Sequence, residues 1–210
     1  MQAFHPLMVL SFLCLTWGCV SAPKQNLQAA PTGAYSLDKS HASLTFSVMH
    51  GGLSRYTMRF NDFNASLDFD AGSPETSRVT AIINAASIDA VHPTKDESWD
   101  KELATDTRFL EAGAFPQIIF KSTQVTPIDK TTARVTGDLT LKGVTLPMSM
   151  TVTYNGANIF PWSPGRTSIG FSASGHFNRS DFGMTALAPN AVGDKVEFRI
   201  EVEFKETNTS

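Results

Sequence analysis

Histidine, cysteine and serine are the side chains that would do acid–base, metal or nucleophilic chemistry, and their spacing here builds none of the usual constellations. Past the N-terminal segment the histidines are His41, His50, His92 and His176. No two stand at zinc-motif spacing and no cysteine accompanies them, so no metal site is expected. No serine lies in G-x-S-x-G or S-x-x-K. The glycines at 51, 52, 137, 143, 170, 175, 183 and 193 form no phosphate-cradling loop leading into a helix. Arg179 and Asp181 are two apart at an expected strand end, where they would pair or brace a turn; the functional alternative puts Arg179 against the polar head of a ligand. An enzyme reading would have only His50 and Asp181 to nominate.

The two cysteines, Cys14 and Cys19, both fall near the N-terminus. Leu7 to Trp17 is an uncharged apolar run, too short to span a bilayer and suited to a secretory signal core, although no positive charge precedes it. Cys14 reads as an apolar filler of that core. Cys19 follows Gly18 at its end, as in a bacterial lipoprotein signal, where the cysteine is acylated and tethers the mature protein. Thr16 and Trp17 depart from that pattern, and the competing reading is ordinary cleavage near Ser21 or Ala22. Export to the periplasm is expected either way, with a membrane-anchored lipoprotein as the Cys19 outcome. No cysteine remains downstream for disulfides or thiolate chemistry.

The elements that must position any site are mostly strands. From Lys195 to Phe204 the chain alternates strictly: Val196, Phe198, Ile200, Val202 and Phe204 share one face, and Glu197, Arg199, Glu201 and Glu203 share the other. Similar patterns predict strands at 34–37, 42–50, 55–60, 64–70, 78–88, 117–126, 133–141, 146–154 and 168–177. Turn signals at Gly51-Gly52, Asp70 to Gly72, Lys142-Gly143, Asn155-Gly156 and Pro161 to Gly165 separate several of them. Gly137, Gly170 and Gly175 fall inside strands, where glycine marks a bulge or bend. Only 94–105 reads as a helix, opened by a Thr94/Glu97 capping box and carrying Trp99 and Leu103 on one face. Residues 106–110 extend or restart it.

The chain divides into a signal segment (1–19), a small, polar, proline-bearing linker (20–33) and one domain (34–206). Short regular connections favour an antiparallel sheet that closes into a barrel or folds as a sandwich. With 210 residues, 41% of them hydrophobic, and a net charge of −3, composition is globular and gives no electrostatic support to nucleic-acid binding.

The aromatic content is the stronger functional signal. The chain carries 15 Phe and 7 Met. A closed barrel of about eight strands holds either a packed interior or one small apolar ligand, and flat Phe and flexible Met walls suit a hydrocarbon chain. Candidate pocket residues are Phe46, Val48, Met58, Phe60, Trp99, Phe120, Leu139, Phe171, Phe177 and Phe182, with His50, Arg179 and Asp181 at the rim. Alternation does not fix which strand face is interior.

The stretches YSLDKSHASLTFSVMH, RFNDFNASLDFD, ASIDA, FPQIIFKSTQV, GDLTLKGVTLPMSMTV, GFSASGHFNRSDFGMT and VGDKVEFRIEVEF run in order from Tyr35 to Phe204. Through them the chain resembles the YceI-like family of exported bacterial lipid-binding proteins. The resemblance implies an all-β, lipocalin-like antiparallel barrel with one short helix near an end. It also implies an isoprenoid lipid, quinone-type or polyprenyl, as the bound partner, with no other cofactor. The helix region departs from the family pattern, with Lys95-Asp96 and Lys101-Glu102-Leu103, and Lys142 stands where the family has a hairpin histidine. The expected partners are therefore that lipid, a membrane reached through Cys19, and a second copy of the chain. The alternatives are an enzyme acting on an apolar substrate and a stress-associated module with a filled interior.

Overall fold

Period-two alternation is realised as ten antiparallel strands among the described residues, and it closes on itself. The computed structural model describes residues 21–92, 97–187 and 190–207. The strands are β1 (Gly33–His50), β2 (Ser54–Phe60), β3 (Phe63–Phe69), β4 (Arg78–Asn84), β5 (Ile88–Asp89), β6 (Gln117–Pro127), β7 (Thr132–Leu141), β8 (Val144–Asn158), β9 (Ser168–Asn178) and β10 (Val192–Glu206); α1 (Glu97–Thr105) lies between β5 and β6. The ring runs β1-β3-β4-β6-β7-β8-β9-β10, and β10 pairs back onto β1, giving a closed eight-stranded barrel.

β1 is long enough to serve two neighbours on one side. Residues Gly33 to Ser36 pair with β3, and Leu44 to His50 pair with β2. The strands expected at 34–37 and 42–50 are one element, because the segment between them is a bulge and not a turn. Six residues of β1, Leu37 to Ala42, pass against three of β10, Phe204 to Val202. The strand expected over 78–88 is broken by a 3-10 turn at Ala85–Ser87, whose first free amide, that of Ala86, donates to the Asn84 side chain. Asn155-Gly156, expected as a turn, is a bulge inside β8: Gly156 takes φ +133°, and the ladder continues through Lys24, which exchanges two backbone hydrogen bonds of 2.9 Å with Ala157.

The same bridge places part of the expected linker. Lys24 pairs with the barrel, a 3-10 turn covers Leu27–Ala29, and Ala30 is buried. Together with Tyr35, Leu67, Phe69, Tyr154, Ile169 and Phe204 this turn closes one end of the barrel, the floor end. Five aromatic contacts knit the floor, among them stacked Phe69 and Tyr154 with centroids 6.2 Å apart.

At the opposite end, α1 packs beside the Ala85–Ser87 turn and β5, tied by the Ala90 amide donating to Asp100 Oδ1 at 2.7 Å. The expected Thr94 cap lies outside the described residues. Residues 107–110 form turns and not more helix; the Leu110 amide reaches back to the Leu103 carbonyl at 3.1 Å.

The bulge in the β1–β10 seam is held by charge. Asp38 Oδ2 accepts from Lys205 Nζ at 2.7 Å and from His41 Nδ1 at 2.8 Å, with Glu203 4.0 Å from the same imidazole. Burial would raise the Asp38 carboxyl, but hydrogen bonds from Lys205 and His41 outweigh it and bring it from 3.8 down to about 2. The bond to Asp38, then the Glu203 charge, raises His41 above 6.5. A depressed carboxyl stabilises the fold above its unfolded pKa and loses that contribution as pH falls. Replacing Asp38 by Asn is therefore expected to lower the urea midpoint at neutral pH, with the deficit shrinking as pH falls from about 4 towards about 2. NMR titration of His41 in the same variant is expected to move its midpoint down towards 6.5.

Candidate functional site

Closing eight strands turns every second side chain inward, and here the inward set does not fill the space. A cavity of about 920 Å³ runs along the barrel, walled by the apolar faces of the strands. The face expected from alternation in β10, Val196 to Phe204, is the inner one. The cavity overturns the filled-interior alternative.

Two inward glycines explain part of the room. Gly137 sits between Val135 and Leu139 on β7, and a Cβ there would stand 2.5 Å from Phe120 Cζ and 2.4 Å from the Lys121 carbonyl. Gly175 on β9 is covered in the same way by Phe198, whose Cζ would lie 2.6 Å from an added Cβ. At both positions a ring lies flat on the wall in space that a side chain would otherwise take. Gly137 faces the expected bulge, between Ser122 and Gln124 of β6, and both it and Gly175 also permit a close approach of ring to backbone. Elsewhere the wall is built from stacked rings such as Phe46 and Phe60, 5.1 Å apart.

Most of the predicted pocket residues lie on this wall: Phe46, Val48, Met58, Phe60, Phe120, Leu139, Phe171 and Phe177 from the strands, and Trp99 from α1. Phe182 does not. It is buried behind the wall, edge-on to Phe177 at 5.4 Å, because the 3-10 turn Arg179–Phe182 carries it out of the β9 alternation. Leu44, Tyr56, Ile118, Val135, Met148, Met150 and Ala173 also line the cavity. They lie on the apolar strand faces read from the sequence, though they were not among the residues singled out there as pocket candidates.

The cavity has two polar margins. At the helix end it meets His50, Ser54, Tyr56, His92, Ser98 and Glu102. Burial, then the charges of Asp100 and Asp89, raises the Tyr56 phenol, so it stays a neutral hydroxyl. At the floor end the lining reaches Ser77, Arg78 at the start of β4, Asp129 to Thr131 in the β6–β7 turn, and Thr132 at the start of β7. Connections such as these carry no period-two signal.

Of the expected rim, His50 is at the margin, while Asp181 is exposed and does not line the cavity. Arg179 touches the cavity, but its guanidinium is committed elsewhere. Nε donates to the Gly193 carbonyl at 3.1 Å, Nη1 to Met184 and Ala186 at 2.6 Å each, and Nη2 to Leu187 at 2.8 Å and Val192 at 3.0 Å. All five donors of the fork are used on backbone carbonyls, so Arg179 is a clamp for the β9–β10 connection and not a receptor for a ligand head. Its expected partner Asp181 takes no part; Asp194 braces the turn, accepting from the Ser180 amide at 2.9 Å and hydroxyl at 2.8 Å. Lys142 likewise faces the neighbouring loop, donating to the Thr107 carbonyl with Glu111 3.6 Å away. Cys19, Lys95 and Asp96 lie outside the described residues.

Among the described residues, Asp38, His41 and Glu203 form one group with metal-ligand chemistry, their donor atoms within 4.8 Å of one another. Lys205 occupies the same Asp38 oxygen as His41, so the cluster is neutralised by the protein's own cations.

Comparison with known proteins agrees with this architecture. A family model described as YceI-like domain matches residues 35–204. A UPF0312 protein of Pseudomonas putida (strain W619) is 34% identical over 176 residues, 83% of this chain and 87% of that one. A Campylobacter jejuni YceI crystal structure is 27% identical, with a TM-score of 0.66 over 74% of this chain and 88% of its own. Burkholderia cenocepacia BcnA, 19% identical, shares the fold at a TM-score of 0.70 over 80% and 98%. So does a polyisoprenoid-binding domain from Saccharophagus degradans, 12% identical, at 0.61 over 82% and 98%.

Two substitutions test these assignments. Arg179→Met strips the donors from five carbonyls and is expected to cost at least about 3 kcal/mol in chemical denaturation, whereas Asp181→Asn is expected to be neutral. Gly175→Ala forces the Phe198 ring off the wall and is expected to cost about 1–3 kcal/mol while shrinking the lumen.

Proposed function

This chain belongs to the YceI-like family, and on that premise we propose that its barrel binds a long-chain isoprenoid lipid, quinone-type or polyprenyl, as a carrier, store or sequestering protein with no chemical step. The observation that carries this reading is the hollow lumen, about 920 Å³ and lined along its length by apolar side chains. That volume falls in the range of ligand sites that enclose most of a small molecule. Removing hydrocarbon from water contributes about 0.8 kcal/mol per CH₂, so each five-carbon prenyl unit in the lumen supplies on the order of 4 kcal/mol before ordering costs.

The polyisoprenoid-binding domain named above shares only the fold and lends support at that level. A turnover reading would want polar groups converging on the lumen. His50 stands at its margin and Asp181 lies outside it, which favours binding without chemistry. The apolar run from Leu7 to Trp17, followed by Cys19, supports a site of action in the periplasm, with an acylated Cys19 as the membrane tether.

Native mass spectrometry of protein purified from its own host tests the proposal. One prenyl-chain lipid per barrel, released on denaturation, is the expected result; barrels that are uniformly empty would refute it. Ala173 lines the lumen midway along β9. Ala173→Trp is expected to reduce lipid occupancy severalfold in the same measurement, with circular dichroism confirming that the barrel still forms.

A further inference from the structure

We propose that the loop from Ile159 to Trp162 is a bilayer anchor that seats the floor end of the barrel on the phospholipid interface. The loop joins β8 to β9 and reads Ile-Phe-Pro-Trp. Trp162 is 68% exposed and Ile159 57%, and Phe160 stacks on Trp162 with centroids 4.8 Å apart and planes at 11°. The Ser163 amide donates to the Phe160 carbonyl at 2.9 Å, holding the two rings together on the outside of the protein. Ile128, on the β6–β7 turn of the same end, is 56% exposed. A Trp–Phe pair held in water is costly for a globular surface and suits the headgroup boundary, where amphipathic rings sit.

The position of the N-terminus says what covers the loop. Ser21 is tied to Asn158, the residue before the loop: Asn158 Nδ2 donates to the Ser21 carbonyl at 2.9 Å and Ser21 Oγ donates to Asn158 Oδ1 at 3.4 Å. Two residues upstream is Cys19, and beyond it the apolar run Leu7 to Trp17. The part of the sequence that speaks of membranes therefore leaves the barrel beside its exposed aromatic pair. Among the described residues no helix is long and apolar enough to cross a membrane, so contact here would be interfacial. The helix end also exposes Leu53, Val91 and Leu187, but these are single aliphatic residues on separate connections. Insertion of the rings predicts binding that does not depend on anionic lipid.

The test uses the full chain carrying Cys19→Ser and Trp17→Phe, so that neither an acyl chain nor the indole of the N-terminal apolar run contributes, and phosphatidylcholine vesicles with and without phosphatidylglycerol. Brominated phosphatidylcholine is expected to quench part of the tryptophan emission, and Trp162→Phe is expected to abolish that part. Phe160→Ser with Trp162→Ser is expected to lower the vesicle partition coefficient on the order of tenfold in either lipid mixture. Quenching retained in Trp162→Phe, unchanged partitioning of the double variant, or a Trp162-dependent dimer in sedimentation velocity without vesicle binding would each overturn the proposal. None of these readouts depends on what the lumen holds.

Discussion

Pairing of β1 with β10 turns a curled sheet into a wall with no edges, and the rest of the molecule depends on that seam. An open sheet of amphipathic strands would have to press its apolar face against something; a closed one can face that side inward and leave the space unfilled. The seam is not uniform. It passes the bulge between Leu37 and Ala42, where β1 carries three more residues than β10, and the charges of Asp38, His41, Lys205 and Glu203 collect there. The bulge lets one strand serve β3 at the floor end and β2 at the helix end, so the barrel narrows to a plugged floor and opens towards α1.

A closed eight-stranded wall does not by itself guarantee a hollow. Side chains long enough to meet across the axis would fill it. Here rings lie along the wall over Gly137 and Gly175, and the aromatics that do cross the axis gather at the floor, where Phe69, Tyr154, Phe171 and Phe204 meet. At the floor rings meet across the axis, whereas in the lumen they lie along the wall, on backbone at Gly137 and Gly175 or on a neighbouring ring as Phe46 does on Phe60. This arrangement leaves the lumen lined by carbon with little polar surface, an interior that offers hydrocarbon a better environment than water does.

What was legible in the sequence was whatever repeats with period two. Val196 to Phe204 announced a strand with one apolar face, which closure of the barrel turns inward, and Phe46, Met58, Phe60 and Phe120 lie on such faces too. What depends on a break in the period was not legible. Phe182 carries the residue type of a pocket wall but sits on a 3-10 turn, and Asn155-Gly156 has the composition of a turn but extends a strand because Lys24, from far upstream, completes its ladder. Arg179 and Asp181 looked like partners from proximity in sequence. The guanidinium instead chose five carbonyls of a following loop, and Asp194 took the turn, neither of which local spacing encodes.

The two ends of the barrel are unequal in a way that bears on traffic through it. β7 has ten residues, and at about 3.3 Å each and a tilt of about 40° it spans about 25 Å along the axis. With the Ile159–Trp162 loop on a bilayer, the lumen margin at Ser77, Arg78 and the β6–β7 turn lies at the level of the lipid, while the margin at His50, Tyr56 and α1 stands about 25 Å out in water. At the lower margin Ser77, Arg78 and Asp129 are polar or charged, and the apolar wall of Met58, Phe120 and Ala173 begins only beyond them. At the upper margin the surroundings change from apolar wall to His50, Ser54 and the neutral Tyr56 hydroxyl. A polar head is at home there and a hydrocarbon tail is not. On the proposed lipid-binding reading, a polar head would sit at a margin and the hydrocarbon tail along the apolar wall between the two margins.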